Sequence, residues 1–472
     1  MEVPQGNRKD SHRQIDPEYR KKIEEARRLS QEGQYQESMQ LANDILADNF
    51  DDPIALFILG YCLLKTERFG LAYNLFIRCA ALNPSRAEPW NNAGMCHQET
   101  WNLDDAEKCF RKSLQLEPND AAAMQNLALI YVNRCLPDEA LKWISRAEKT
   151  GEQSWEALDN KALALLMKGE WKEGWACYRA TAGRDKVRQL RSYCVPEEQM
   201  WAGERGSVVI YGTQGIGDEL SFASCIPDAL EKADVIIDCD HRLEGLFKRS
   251  FPKAKVYGTR FRDVNWQEIV HYSIPIDCLP SLFRNKDEDF PGVPYLKADP
   301  ERRVQWRALF DTLRKPVIGI AWTGGRKNTG KKKRSLSLDD LEPLLRSIDA
   351  TWVSLEYVDH ADHIEAFRKR TGIQIHEWKR ATQTQDYDDT AGLVAELDCV
   401  VSVTTAVIHL AGALGKDCYC LVPSLPRWWY RVEGDSSPWY KSLRLYRQKK
   451  GEGWATPIEH VSNALRLRFG PR

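Results

Sequence analysis

The first third of the chain repeats itself every 34 residues. Successive copies begin near Tyr19, Pro53, Ala87, Ala121 and Trp155. Small residues at the eighth and twentieth positions of a copy let two helices approach closely, and large residues fill the gaps between neighbouring pairs. Because one helix pair cannot bury its own apolar face, the copies must stack. The pattern therefore predicts a curved helical solenoid with a concave face.

The third copy shows the pattern most completely. Large, small and proline residues occupy the expected positions at Trp90, Ala93, Gly94, His97, Ala106, Phe110, Ser113 and Pro118. These residues resemble the tetratricopeptide repeat, as do their counterparts in the second and fourth copies, whereas Ser38 and Gly174 replace the expected alanine in the first and fifth. We therefore expect a tetratricopeptide solenoid of about five repeats over residues 17–185. Its concave face would bind a protein or peptide, or the array would serve as a rigid scaffold for an attached domain.

Length and charge restrict what the rest of the chain can be. A chain of 472 residues is too long for a single core. We expect a disordered tail over residues 1–16, a linker over 186–205, and two further halves over 206–300 and 301–465.

With 67 basic and 68 acidic residues, the net charge of −1 indicates no nucleic-acid partner. The sequence has no apolar run of membrane-spanning length and a polar start, so we expect a cytoplasmic protein with no membrane span.

A glycine-rich turn follows the first strand-like run after the repeats. Ser207 to Tyr211 reads as a buried strand, and a helix follows the turn that contains Gly215, Gly217 and Asp218. Glycines there allow close backbone approach to a ligand, but the spacing matches neither the dinucleotide fingerprint nor a Walker A loop. Asp218 lies at the start of the helix, so it is either a partner of the helix dipole or a general base facing an acceptor hydroxyl.

A second strand, turn and helix unit lies at residues 397–423. Its buried strand ends at Thr404 and Thr405, and apolar residues at helical spacing continue to Gly415. Unpaired N–H groups at the start of a helix favour an anion, so the two hydroxyls could contact a phosphate. An ordinary N-cap is the alternative.

A basic loop follows another strand. Residues 316–322 read as a strand that leads into Thr323, Gly324, Gly325 and Arg326, and a lysine cluster ends at Arg334. A basic run is more often a solvated loop, and the KKKR segment alone could be a nuclear address. Its place at a glycine-rich strand end favours a diphosphate partner.

Two short patterns could suggest a metal. Asp238 and Asp240 flank one residue, and His360 and His363 are three apart, but nothing nearby in sequence completes a ligand set for the histidines. We expect no metal site.

Residues 206–450 resemble glycosyltransferases related to the bacterial lipopolysaccharide heptosyltransferases, of glycosyltransferase family 9 and the two-Rossmann-domain type called GT-B. The motifs that carry the resemblance are GTQGIGDELSFASCIPDAL at 212–230, VIGIAWTGG with RSL at 317–336, DCVVSVTTAVIHLAGALGKDCYCLVPS through RWWY at 398–430, and the segment from Asp435 to Tyr440. The chain as a whole resembles the tetratricopeptide-fused branch of that group. The alternation of strands and helices agrees with α/β doubly wound Rossmann-type domains.

The resemblance implies an inverting transfer of a sugar from a nucleotide-sugar donor to an acceptor hydroxyl, with no required cofactor or metal. Asp218 takes the position of the catalytic carboxylate. The implied donor and phosphate-binding residues are Gly215, Gly217, Thr323, Gly324, Gly325, Arg326, Arg334, Thr404, Thr405 and His409. The competing interpretation is a catalytically inactive scaffold that binds proteins through its repeats and keeps a vestigial nucleotide-binding fold.

Overall fold

A computed structural model of the chain describes residues 17–151, 154–182, 197–260, 270–325 and 334–471. The predicted tail and most of the predicted linker therefore lie outside the described residues. The chain divides into two compact units. The first comprises Met1–Tyr131 with Glu139–Gln153, and the second comprises Val132–Asp138 with Ser154–Arg472.

Antiparallel helix pairs follow one another through the first region. Their bounds are α1 Pro17–Gln31, α2 Tyr35–Asp48, α3 Pro53–Lys65, α4 Phe69–Leu82, α5 Glu88–Glu99, α6 Leu103–Leu116, α7 Ala121–Asn133 and α8 Pro137–Glu148. Asp52 is the N-cap of α3, because its Oδ1 accepts the N–H groups of Ile54 and Ala55 at 3.0 and 2.8 Å. Phe110 is fully buried, and a Cβ on Gly94 would lie 2.5 Å from its ring. The small position of the repeat thus lets α5 and α6 approach, as the period predicts.

The fifth helix pair belongs to the second unit. Its helices are α9 Trp155–Lys168 and α10 Trp171–Ala182. Trp171 and Trp175 of α10 are buried, at 2% and 1% exposure. The 34-residue period therefore continues past the point where the first unit ends.

A four-stranded parallel sheet follows, in the order β3-β2-β1-β4. Its strands are β1 Ser207–Tyr211, β2 Asp234–Asp238, β3 Lys255–Tyr257 and β4 Tyr272–Pro275, and its helices are α11 Ile216–Phe222, α12 Ile226–Leu230, α13 Glu244–Ser250 and α14 Pro280–Phe283. Met200, within the predicted linker, bridges to Ser273 beside β4, and Trp201 is fully buried. That part of the segment is structured.

A six-stranded parallel sheet comes next, in the order β10-β9-β8-β5-β6-β7. Its strands are β5 Val317–Ala321, β6 Thr351–Ser354, β7 Ile375–His376, β8 Cys399–Val403, β9 Cys418–Val422 and β10 Leu443–Arg447. Its helices are α15 Pro300–Phe310, α16 Leu338–Leu345, α17 Ala361–Thr371, α18 Lys379–Thr382, α19 Tyr387–Glu396, α20 Ala406–Ala413 and α21 Ala455–Phe469. Every residue of β5 and β8 is buried, as expected for central parallel strands. Since β5 and β8 are neighbours, the turns that follow them meet at one edge of the sheet.

Short 3₁₀ turns complete the second unit at Glu197–Gln199, Ala223–Cys225, His241–Leu243, Ile276–Cys278, Asp287–Asp289 and Trp428–Tyr430. None of the helices in the described ranges is long and apolar enough to cross a membrane. The prediction of repeat helices followed by parallel sheets is confirmed at this level of detail.

Candidate functional site

Asp218 is the titratable group at the end of β1. It is the third residue of α11, and its Oδ2 accepts the N–H of Gly215 at 3.0 Å. Burial, together with the charge of Asp277, raises the pKa of Asp218 to about 6, although the Gly215 N–H, Arg427 and Arg260 act in the opposite direction. The carboxylate has the helix-start contact expected of a structural aspartate. It also has a pKa near the range where a general base works at neutral pH.

A second carboxylate, Asp277, supports the same turn and was not identified from the sequence. It is fully buried in the turn Ile276–Cys278 that follows β4. Its Oδ2 accepts hydrogen bonds from Thr213 Oγ1 at 3.0 Å, Gln214 Nε2 at 2.9 Å and Tyr178 Oη at 3.1 Å. The side chains of the glycine-rich turn are thus tied to β4 and to α10.

A buried ion pair supports the turn from its other flank. Arg260 pairs with Glu219 and also donates to the carbonyl of Gln214. Glu219 accepts the N–H of Asp240 at 3.0 Å, and burial raises the pKa of Glu219 to about 7. A Cβ on Gly212 would lie 2.2 Å from the Glu219 carboxylate, so this glycine is required by the close approach of a side chain.

The turn after β5 is held by Glu356, another residue that the sequence did not single out. Glu356 is buried and accepts the N–H groups of Trp322 and Thr323 at 2.6 and 2.7 Å, and it also contacts the Thr323 hydroxyl. Gly324 donates its N–H to Ser335 Oγ at 3.0 Å. The Thr323 hydroxyl therefore has an internal partner, and the glycines of this turn shape its backbone.

Arg334 joins the turns of β5 and β8. Its Nε donates to Thr404 Oγ1 at 3.2 Å, and its Nη2 donates to the Thr404 carbonyl. Its backbone carbonyl would lie 2.7 Å from a Cβ on Gly324. Arg326, predicted beside it, lies outside the described residues. Of the two predicted arginines, Arg334 is thus placed next to the predicted threonine turn.

Thr405 occupies the N-cap position of α20 without acting as a side-chain cap. Within the described part of the chain, its side chain makes no capping hydrogen bond to the helix. Its Oγ1 lies 3.3 Å from Ser402 Oγ. The alternative interpretation of Thr405 as an ordinary side-chain N-cap is thus not what this geometry shows. The Thr405 hydroxyl accepts none of the first N–H groups of α20, whereas its carbonyl accepts the N–H of Ile408 at 3.2 Å.

His409 lies among aromatic side chains. Its Nδ1 is 3.2 Å from Tyr440 Oη, and its ring packs against Trp429 at a centroid distance of 5.4 Å. Burial, together with the charge of Arg334, lowers the pKa of His409 to about 4. The imidazole is therefore neutral at physiological pH and supplies no positive charge to a phosphate.

Helices α11 and α20 approach each other at Gly217. A Cβ at this position would lie 3.2 Å from the Cα of Ala406 and 3.5 Å from the ring of His409. The start of α11 thereby approaches the start of α20, and the charges of Asp218 and Arg427 both act on Arg334. A carboxylate with a raised pKa and two arginines, one of them bonded to the threonine turn, are therefore close enough for their charges to interact. Such a set can take a proton from a hydroxyl and stabilise an anion.

The side chains considered for a metal have other partners. Asp238 Oδ1 accepts from Thr259 Oγ1 at 2.7 Å, and Asp240 pairs with Arg242 at 2.9 Å. His360 and His363 contact each other at 3.5 Å. Among the described residues, no group of three or more histidine, cysteine, aspartate or glutamate side chains is arranged to hold a metal ion.

Known proteins resemble the chain in two ways. Residues 87–120 match the family model described as tetratricopeptide repeat. Protein FlbA of Caulobacter vibrioides is 28% identical over 437 residues, which covers 86% of this chain and 72% of that protein.

Other similarities cover smaller parts of the chain. The tetratricopeptide repeat-containing protein trd-1 of Caenorhabditis elegans is 26% identical over 128 residues, or 27% of this chain and 17% of that protein. A crystal structure of a thermophilic tetratricopeptide protein from Thermus thermophilus covers 35% of this chain and 92% of its own, with 19% identity and a TM-score of 0.32. With the family model matched in the third repeat, the amino-terminal helices form a tetratricopeptide solenoid, a region of parallel sheets follows it, and the similarity to FlbA extends through most of the chain.

Proposed function

We propose that the parallel-sheet region is a glycosyltransferase of the GT-B type, related to the lipopolysaccharide heptosyltransferases. It transfers a sugar from a nucleotide-sugar donor to an acceptor hydroxyl with inversion and without a metal cofactor. The tetratricopeptide solenoid binds a protein or peptide, which is either the acceptor or a partner that presents it.

The observation that carries this proposal is the close approach of a carboxylate and an arginine that belong to different turns. Asp218, with its pKa raised to about 6 by burial, lies at the start of α11. Gly217, next to Asp218 on the same helix, approaches Ala406 of α20, and Arg334 contacts Thr404, two residues before the start of α20. A base on one side and cations with helix-terminal N–H groups on the other suit removal of an acceptor proton and departure of a diphosphate.

We assign each predicted residue a role in the transfer reaction. Asp218 takes the proton of the acceptor hydroxyl. Arg334, Arg326 and Thr405 bind the donor phosphates, and the glycines at 215, 217, 324 and 325 let the backbone approach them. Thr323, Thr404 and His409 hold the shape of the donor side, because Glu356, Arg334 and Tyr440 respectively are their partners.

Ligand binding and transfer test this proposal separately. In a thermal-shift screen of nucleoside diphosphates and nucleotide sugars, we expect one nucleotide to raise the melting temperature of the wild type and of Asp218→Asn. Thr405→Val should lose that shift, whereas the control Thr66→Val, which removes a hydroxyl bonded to Cys62 in the solenoid, should keep it. With the donor so identified, Asp218→Asn should lower kcat by roughly 100-fold or more.

The same two measurements distinguish the glycosyltransferase from the alternative, an inactive scaffold. The absence of any shift at millimolar ligand would favour the scaffold, in which the repeats bind proteins and the sheets transfer nothing. A shift accompanied by equal transfer in wild type and Asp218→Asn would remove Asp218 from the chemistry.

A further inference from the structure

One face of α10 carries polar contacts to the parallel-sheet region along the whole helix. The residues on this face follow the i, i+4, i+7, i+8 spacing of a helical stripe and are Trp171, Trp175, Tyr178 and Arg179. Trp171 Nε1 donates to Asp287 Oδ1 at 2.6 Å, and Trp175 Nε1 donates to the Arg284 carbonyl at 2.9 Å. Each turn of the helix is thus fixed by a hydrogen bond as well as by packing.

Arg179 fixes the last turn of α10. Its Nη2 donates to the carbonyls of Met200 and Trp201, both at 3.1 Å. These two residues lie beside β4, where Met200 bridges to Ser273. Tyr178 is therefore set between two anchored turns, and its position relative to β4 is determined by its neighbours.

Tyr178, Gln214 and Asp277 are joined pairwise by three hydrogen bonds. Its hydroxyl donates to Asp277 Oδ2 at 3.1 Å and accepts from Gln214 Nε2 at 2.5 Å, while the same Nε2 donates to Asp277 Oδ2 at 2.9 Å. Tyr178 itself is buried, at 8% exposure. The hydroxyl thus contacts both the turn that precedes Asp218 and the carboxylate that supports this turn.

Asp277 connects this set to the rest of the turn. A fully buried carboxylate is costly unless it is hydrogen-bonded, and Thr213, Gln214 and Tyr178 all donate to it. Thr213 and Gln214 come immediately before Gly215, whose N–H binds the Asp218 carboxylate. A chain of contacts therefore runs from α10 to the orientation of Asp218.

We propose that Tyr178 is a positioning residue for Asp218, acting through Asp277 and Gln214, so that the last helix of the repeat sequence takes part in the transfer reaction. The inference rests on the proposed function of Asp218 as the base. It adds that α10, the last helix of the repeat pattern, also supports the residue that carries the chemistry.

Asp277 also affects Asp218 electrostatically, together with the other charged groups around it. Asp277 raises the pKa of Asp218, and Arg260 and Arg427 lower it. Arg334 also faces it, and His409 near Gly217 is neutral because burial lowers its pKa to about 4. Replacing Asp277 by asparagine removes the acidic neighbour and therefore lowers the pKa of Asp218. The acid limb of the kcat profile in Asp277→Asn should move to lower pH, which a merely structural role would not produce.

The decisive variant is Tyr178→Phe, which removes one hydroxyl and keeps the ring. We expect kcat for transfer to fall roughly tenfold with an unchanged donor KM, because the lost hydrogen bond positions the base and not the donor. The matched control is Tyr19→Phe in the first compact unit, where the Tyr19 hydroxyl also donates to a carboxylate, that of Asp52, at 2.7 Å. The control should keep the wild-type kcat.

Hydrogen exchange of the amides in residues 212–219 gives a readout that needs no activity. We expect faster exchange in Tyr178→Phe and wild-type exchange in Tyr19→Phe. Unchanged exchange and kcat in Tyr178→Phe, or a change confined to donor KM, would overturn the inference. If the wild type transfers no sugar, faster exchange limited to Tyr178→Phe would retain the support of the turn by Tyr178 and refute the proposed function alone.

Discussion

Helices α6 and α10 are the second helices of two copies of one repeat, yet their side chains have different partners. Phe110 of α6 and Tyr178 of α10 occupy the same position of the 34-residue pattern. Phe110 packs on Gly94, and Lys108 of α6 pairs within its own helix with Asp105 at 2.7 Å. In α10 the hydroxyl of Tyr178 reaches Asp277. A repeat pattern thus specifies a helix pair without specifying what each side chain of its second helix contacts.

The largest effect should come from Trp175 of α10. Its ring contacts Trp171, Tyr178, Phe222, Trp428 and Trp439. Trp175→Ala should cost the second unit about 3–5 kcal/mol of unfolding free energy, because a large cavity forms and the bond to Arg284 is lost. Hydrogen exchange of β1 and α11 would measure the loss.

Glu107→Ala is the matched control, since Glu107 occupies the same repeat position in α6. It accepts from Arg111 and from the Tyr131 hydroxyl at 2.7 and 2.6 Å, and its loss should cost about 1 kcal/mol in the first unit. Equal costs for the two variants would contradict the distinction between the helices.

The contributions of Asp218 and Glu88 to folding stability should change with pH in opposite directions. The pKa of Asp218 is raised to about 6, so folding with its proton bound is favoured, and this stability is lost as pH rises from about 4 through 6. Asp218→Asn should therefore be more stable than wild type by roughly 1–3 kcal/mol at pH 7.5, with the difference vanishing near pH 4. Urea unfolding at several pH values would measure this.

Glu88 of the solenoid provides the contrast. The hydrogen bond from Arg86 lowers the pKa of Glu88, so its stabilisation is present above the ordinary carboxyl pKa and is lost as pH falls. The pair is exposed, and Glu88→Gln should destabilise by less than about 1 kcal/mol at neutral pH. A stabilising Glu88→Gln, or a destabilising Asp218→Asn at pH 7.5, would refute the assigned signs.

The last comparison concerns the glycine beneath Phe110. Gly94→Ala places a methyl group 2.5 Å from the Phe110 ring, and the gain in helix propensity offsets part of this clash. We expect a net loss of about 1 kcal/mol, seen as a lower melting temperature of the first unit. Gly70→Ala in α4, where a Cβ would meet nothing within 4 Å, should be neutral or stabilising. A stabilising Gly94→Ala would show that Phe110 does not need the glycine.

The repeats and the parallel strands could be predicted because both depend on local periodicity. Strand β1, the turn at Gly215 and the helix that carries Asp218 follow from short apolar runs and glycines. The supporting carboxylates could not be predicted in the same way. Asp277 lies 59 residues beyond Asp218, and Glu356 lies 33 residues beyond Thr323, so only the strand order brings each to its turn. The sequence did contain one signal of the contact between α10 and the sheet region. Trp171, Trp175 and Tyr178 lie on one face of this helix, and such an aromatic face is not expected on a helix that faces solvent.

The division of the chain into two units has a further consequence. The second unit takes Val132–Asp138 from within the repeats, and the first resumes at Glu139. The two units are therefore interleaved along the sequence, and no single cut of the chain separates all of their residues. A truncation after Gln153, for example, would remove the second unit from Ser154 onward but leave its segment Val132–Asp138 attached to the first unit.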